Sequence, residues 1–459
     1  MQNKEMLGTE PVGKLLLKLS IPTVVAQLIN MLYNIVDRIF IGHIPNDGAL
    51  ALTGVGVCLP LIMLVSAFAM LVASGGAPRA SIYMGKNDME TAEKTLGGCF
   101  STQIVISILI TTILLIYNKD LLLVFGASEN TIDYAVSYMN IYAIGTIFVE
   151  LTLGMNAFIT AQGFSKFSMY AVLIGAVLNI CLDPIFIFVA KMGVRGAALA
   201  TIISQAVSAI FVVCFLCSKK SILKIKLKNL FVNPKIVLPC IALGMSAFIM
   251  QASESVIFVC FNSSLLQYGG DIAVGAMTIL SSVMQFAMLP LQGLAQGAQP
   301  IESYNYGAGN ASRVKKAFKL LLIFSVVYST ILWIFVMALP EAFASMFTND
   351  QELIKFTAGA ARVYFGAMFM FGAQIACQMT FVSLGNAPSS IVVAIVRKFV
   401  LLLPLIYLLP IGANNPTMMI YTAEPIADAV AVTFTLILFT FQFRKAMKSI
   451  EKPKVQLNR

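Results

Sequence analysis

Asp37 is a carboxylate inside an apolar run, and it closes a stripe of Gln27, Asn30, Asn34 and Asp37 spaced 3, 4 and 3 residues apart. That spacing puts all four on one helical face. Asn179 and Asp183 stand at i, i+4, with Gly175 a turn earlier and Pro184 directly after. Gly175 admits a close neighbour. Pro184 cannot donate to the carbonyl of Ile180, which leaves one more oxygen for a ligand. Thr201, Ser204, Gln205 and Ser208 follow on the next apolar run. Carboxylate, amide and hydroxyl oxygens are what hard cations prefer. Two carboxylates held together in a low dielectric can also share a proton. Asp37, Asn179, Asp183 and Thr201 are therefore expected to form a cation site, for H+ or as metal ligands for Na+. Residue types do not choose between the ions. A blander reading pairs Asp37 with Arg38 or Arg195 at an interface.

Later in the chain, Gln251 and Glu254 lie one turn apart, and Gln285, Gln292, Gln296 and Gln299 form an uncharged stripe. Gln374 and Gln378 make another. Met155, Met284 and Met288 offer polarisable, adaptable surface, although packing is the commoner use of a methionine. Asn34, Gln251, Glu254, Gln285, Met288 and Gln292 are the candidates for the wall of a substrate cavity. Glu150, Asp428 and the adjacent pair Arg397 and Lys398 are further charges in apolar runs. Ionisable groups there are costly and default to functional candidates, but the pattern gives these four no defined role.

The elements that position these residues must be membrane helices. Of 459 residues, 59% are hydrophobic and 11% charged, and the mean hydropathy is +0.87. Soluble domains carry about 25% charged residues. A bilayer span takes roughly 20 apolar residues. Twelve runs can be marked: 15–41, 50–74, 96–117, 131–161, 167–190, 196–217, 236–265, 272–298, 314–339, 352–384, 390–410 and 421–443. None shows the alternation of barrel strands. Lysine and arginine gather on one side, with Lys14, Arg79, Lys86, Lys94, the 218–235 connection, Arg313 to Lys319 and the tail. The other side has only Lys119, Lys191, Arg195 and Lys355. Both termini are therefore expected in the cytoplasm of a cell whose plasma membrane holds the chain. The net charge of +10 follows from this topology, not from nucleic-acid binding. The eight cysteines read as small buried hydrophobes, and no cleavable leader is evident.

The basic connection divides the chain into 1–217, 218–235 and 236–459, two halves of six spans and a linker. An internal repeat supports the division. Gly75, Pro78, Gly85 and Gly163 recur 222 positions later as Gly297, Pro300, Gly307 and Gly385. The segments around them read as glycine-rich loops. Halves with an even span count share topology and relate by an axis along the membrane normal, which suits a transport path between two lobes.

Three motifs then carry a resemblance over essentially the whole chain. Ile35-Val36-Asp37-Arg38-Ile39-Phe40-Ile41-Gly42, Asn179-Ile180-Cys181-Leu182-Asp183-Pro184-Ile185-Phe186, and Gly193-Val194-Arg195-Gly196-Ala197-Ala198 with Thr201 resemble the first, fifth and sixth helices of the multidrug and toxic compound extrusion (MATE) family. The resemblance implies a V-shaped pair of six-helix bundles exporting amphipathic cationic drugs or dyes in exchange for H+ or Na+. It places the cation site at Asp37, Asn179, Asp183 and Thr201, adds Tyr138 to the candidates for the substrate cavity, and matches Glu254 to an acidic residue of some branches. The second half has no equal cluster, since the same shift carries Asn179 and Asp183 onto Leu401 and Leu405. The expected protein is no enzyme: no HExxH or GxSxG motif is present. It needs no cofactor beyond the coupling ion, and one chain suffices as a monomer. The alternative is a flippase of lipid-linked precursors, which needs a cationic cavity for pyrophosphate. Only Arg397 and Lys398 are candidates for that.

Overall fold

The computed structural model describes residues 2–45 and 47–451, with side chains from residue 6. The first half comprises α1 (Gln2–Thr9), α2 (Val12–Gly42), α3 (Gly48–Gly85), α4 (Met89–Val124), α5 (Ile132–Ala161), α6 (Ser165–Pro184) and α7 (Val194–Cys217). The second comprises α8 (Pro234–Gly307), α9 (Ala311–Ala338), α10 (Pro340–Ser345), α11 (Gln351–Tyr364), α12 (Phe371–Ser383), α13 (Ala387–Ile395), α14 (Leu403–Leu408) and α15 (Pro416–Glu451). Helix starts are chemically specified. Asp88 accepts the Thr91 amide, Asn233 that of Lys235 beside Pro234, Asp350 that of Glu352, and Asn386 that of Ser389. Each side chain satisfies a donor that the first turn leaves free.

Helix α8 has 74 residues, about 111 Å at 1.5 Å per residue, several times the hydrocarbon core of about 30 Å. It reverses at Gly270, whose φ of +65° is open to glycine, and so makes two spans. Helices α11 and α12 meet at 50° and together make one. With α8 counted twice, the expected twelve crossings follow among the described residues. Two elements differ from the sequence expectation. The polar stretch before Glu10 forms α1, which buries Met6 and Leu7 against Leu15, Ala298 and Leu321. The expected run 352–384 is bent at a 3-10 turn, Met368–Met370.

The repeat needs the larger correction. The segments around Pro78 and Pro300 are not loops: α3 and α8 continue through them to Gly85 and Gly307. Their glycines serve helix packing. A Cβ on Gly85 would stand 2.0 Å from the carbonyl of Tyr304, and one on Gly307 2.0 Å from that of Ile82. Residues 82 and 304 are themselves related by the 222-residue shift, so α3 and α8 cross symmetrically at their ends. Gly75 likewise meets Cys240 and Gly244, and Gly297 meets Ser20. Of the repeated glycines, only Gly163 and Gly385 lie in turns, at φ +85° and +73°.

These contacts join the two halves near the lysine-rich end. There the cores are mixed: Leu15 and Leu19 pack with Ala295 and Ile301, and Cys240 packs with Val72, Cys99 and Phe158. At the opposite end each half keeps its own core. One contains Val55, Leu61, Tyr138 and Ala197, the other Phe261, Leu280, Phe365 and Tyr421. The two lobes therefore meet at the basic end and part toward the other.

Candidate functional site

Helices α2, α6 and α7 bring together the residues that the sequence singled out in the first lobe. Asp37, Asn179 and Asp183 are all buried, Asp183 completely. Asn179 donates to Asp183 Oδ1 at 3.3 Å and to Thr201 Oγ1 at 3.4 Å. The Asp37 and Asp183 carboxyls are near enough for each to act on the other. Asp37 Oδ1, Asp183 Oδ2 and Asn179 Oδ1 are buried without a hydrogen-bond partner. Buried acceptors are normally paired, so three such oxygens in one cluster have the electronic character of a proton or cation site. Among the described residues, no salt bridge joins Asp37 to Arg38 or Arg195.

Local packing explains how the cluster is held. A Cβ on Gly175 would lie 2.4 Å from Ser208 Oγ, and Ser208 donates to the Ala171 carbonyl at 2.9 Å. The missing side chain thus lets α6 and α7 lock together beneath the site. After Pro184 the backbone widens into a π-turn, Ile185–Val189. Tyr138 is buried, stacks on Tyr142 at 6.1 Å and sits beside Thr201. Tyr33 also joins, next to Asp37, Asn34 and Gln205. The sequence reading missed Tyr33, although it precedes Asp37 by one helical turn.

The stripe on α2 divides along its length. Gln27 donates to Gln296 of the other lobe at 3.2 Å. Asn34 is exposed and returns its amide to the Asn30 carbonyl at 2.6 Å. Gln285 and Gln292 are exposed, Gln251 is half-buried, and Met288 packs against the core of the second lobe. Glu150 is fully buried, held by Gln103 at 2.5 Å, with its other oxygen unpaired. Glu302, which the sequence reading passed over as part of a loop, is equally buried and accepts from Thr380 at 3.1 Å.

The second lobe holds a cluster of its own. Lys398 donates to Glu254 at 2.7 Å, and Arg397 to Asp428 at 2.7 Å and Glu424 at 3.4 Å. The guanidinium lies 4.9 Å over the Phe371 ring. A π-helical turn, Val396–Leu402, carries both cations and keeps both buried although they are adjacent. Removing one partner of such a buried pair costs about 3–5 kcal/mol. Glu424 was not singled out from sequence, though its i, i+4 spacing to Asp428 was a usable signal.

The fold and its two clusters define a multi-pass membrane transporter of two lobes. The MatE family profile matches residues 22–185 and 246–408, and the chain belongs to that family. It is 24% identical over 396 residues to the multidrug export protein MepA of Staphylococcus haemolyticus, covering 86% of each chain. MepA of Staphylococcus aureus is 24% identical over 362 residues, 79% of each chain. Among solved structures, MATE in complex with MaD3S superposes with a TM-score of 0.90 at 22% identity, over 98% of this chain and 99% of that one. A multidrug resistance MATE family transporter in an outward-facing conformation gives 0.89 at 22%, with the same coverage.

Proposed function

We propose that this chain is a secondary multidrug exporter that exchanges H+ or Na+ for amphipathic, often cationic drugs by alternating access. The observation that carries the reading is the Asp37 and Asp183 pair, two buried carboxyls with unpaired oxygens beside Asn179 and Thr201 in a MatE-family chain. Its relatives in Staphylococcus, multidrug export proteins by name, support the substrate class. The moving bodies are 1–217 and 236–459, joined by the basic linker 218–235, in a plasma membrane with the lysine-rich side cytoplasmic. The lobes meet on that side, so the conformation is open to the outside.

Helix α2 is the transmitting element. It carries Asp37 at one end of its polar stripe, and near Pro22 it touches the other lobe through Ser20 and Thr23. Thr23 donates to the Gly293 carbonyl at 2.6 Å and Ser20 to that of Leu294 at 3.2 Å. Fourteen residues of helix, about 21 Å, link ion occupancy to the lobe contact. Pro22 leaves the Lys18 carbonyl without its helical donor, which lowers the cost of bending there. An ion from outside that binds between Asp37 and Asp183 favours the state that has released drug. The flippase alternative is disfavoured, because Arg397 and Lys398 are matched by Glu254, Glu424 and Asp428 and leave no cationic cavity.

The test is ethidium efflux from proteoliposomes under an imposed pH or sodium gradient. One gradient should drive efflux, and Asp37→Asn should lower that rate at least tenfold. Efflux under neither gradient by correctly inserted protein rejects the exporter reading. Coupled efflux that survives Asp37→Asn moves the ion site elsewhere.

A further inference from the structure

The charges of the second-lobe cluster do not balance. Glu254, Glu424 and Asp428 supply three carboxylates against two cations, Arg397 and Lys398. The groups are strung in order. Lys398 rests on Glu254 at 2.7 Å, and Arg397 holds Asp428 at 2.7 Å but Glu424 only at 3.4 Å. Charge-assisted bonds are normally about 2.7–2.9 Å, so Glu424 is the loosely held member. Glu424 thus shares the Arg397 guanidinium with the more tightly held Asp428, and Lys398 is the next residue along the same buried turn.

Glu254 differs from the rest in position. Its side chain is 53% accessible, whereas that of Lys398 is 3% accessible and that of Glu424 6%. Among its three carboxyl groups the cluster thus opens at Glu254. An organic cation that approached Glu254 would compete with the Lys398 ammonium for the same oxygen. Were Lys398 simply displaced, a buried ammonium would lose its counter-ion, which is the expensive way to break such a pair. Glu424 removes that obstacle, because Arg397 keeps Asp428 while Lys398 gains a second carboxylate. The π-turn Val396–Leu402 that carries Lys398 packs against α8 and α15, the helices of Glu254 and Glu424. π-Turns often mark functional sites within helices.

We infer that Lys398 is a mobile counter-ion, resting on Glu254 and passing to Glu424 when a monovalent organic cation takes the Glu254 carboxylate. The ligand class is an amphiphile with one fixed or protonated positive centre. Its binding is thereby linked to a rearrangement of the eleventh span. The inference deepens the exporter reading and rests on it for the identity of the ligand.

The experiment is ethidium binding to the purified full-length protein in detergent, followed by fluorescence anisotropy. Salt at about 0.5 M screens attraction through solvent. Each variant is first checked for a monodisperse elution profile. Lys398→Met frees Glu254 and should tighten binding about tenfold. Glu424→Gln leaves Glu254 intact but removes the place to which Lys398 retreats, and should weaken binding about tenfold. Combining Glu424→Gln with Lys398→Met should restore binding to at least the wild-type level, an outcome that general damage to packing does not produce. Wild-type affinity in Glu424→Gln overturns the switch alone and leaves the exporter reading standing. So does a double variant that binds no better than Glu424→Gln. Absence of binding in wild type and Lys398→Met alike rejects the switch together with the organic-cation substrate of the exporter reading.

Discussion

Asn179 carries two jobs at the residue scale. It orients Asp183 and Thr201 through its amide nitrogen, and it leaves its own oxygen free in the cluster. Asn179→Ala should therefore weaken the coupling ion's apparent affinity at least tenfold in gradient-driven efflux while leaving the ethidium dissociation constant unchanged. An equal loss in both would make Asn179 a packing residue. Asp37, Asn179 and Asp183 were legible from sequence because a carboxylate or amide inside an apolar run stands out against a costly background, and Thr201 only through the hydroxyl-bearing run and motif that follow them. Tyr33, Glu302 and Glu424 were less visible. Tyr33 has no charge, and Glu302 lies in a glycine- and proline-rich stretch that reads as a loop.

At the element scale, the glycines of the repeat decide how closely α3 and α8 cross. With Gly85 facing the Tyr304 carbonyl and Gly307 facing that of Ile82, an added methyl on either helix has nowhere to go but into backbone. Gly85→Ala and Gly307→Ala should each push the lobes apart at the basic end, lowering the thermal midpoint in detergent and slowing efflux at least fivefold. The effects should be similar in size, because the two positions are related by the repeat. Gly359→Ala is the control, since nothing lies within 4 Å of its added carbon; it should match wild type in both assays. A Gly85→Ala protein with wild-type stability and rate would contradict the close crossing. The sequence showed that these glycines and prolines recur, but the recurrence could not distinguish a turn from a tight helix crossing. Glycine serves both, and proline inside a membrane helix is tolerated where neighbours satisfy the freed carbonyl.

For the whole molecule, the consequence is a single shared closure between lobes. Ser255 and Met63 mark a point where they still touch, Ser255 Oγ lying 3.7 Å from Met63 Sδ. Farther along, the cores are separate. A short bis-methanethiosulfonate cross-linker joining Met63→Cys and Ser255→Cys should hold the lobes in this state, since Cys is shorter than the Met it replaces and a direct disulfide needs closer backbones. Cross-linking should then stop ethidium efflux and reductant should restore it, in a background with the exposed Cys181, Cys214 and Cys217 replaced by serine. Full efflux by the cross-linked protein would mean that the lobes need not part there during transport.

The sequence by itself determined the solvent, the number of crossings, the two-half plan and the acidic cluster of the first lobe. Each depends on chemistry that is local or periodic: apolar length, the bias of lysine and arginine, helical spacing of polar groups, and recurrence at one shift. Tertiary structure alone decided which partners met across long separations. Lys398 and Glu254 are 144 residues apart and Arg397 and Asp428 31 apart, so no spacing rule connects them. Two basic side chains that looked unsupported in a bilayer are supported because folding brings three carboxylates to them. It is the packing of α8 and α15 around one π-turn that leaves a single carboxylate facing out.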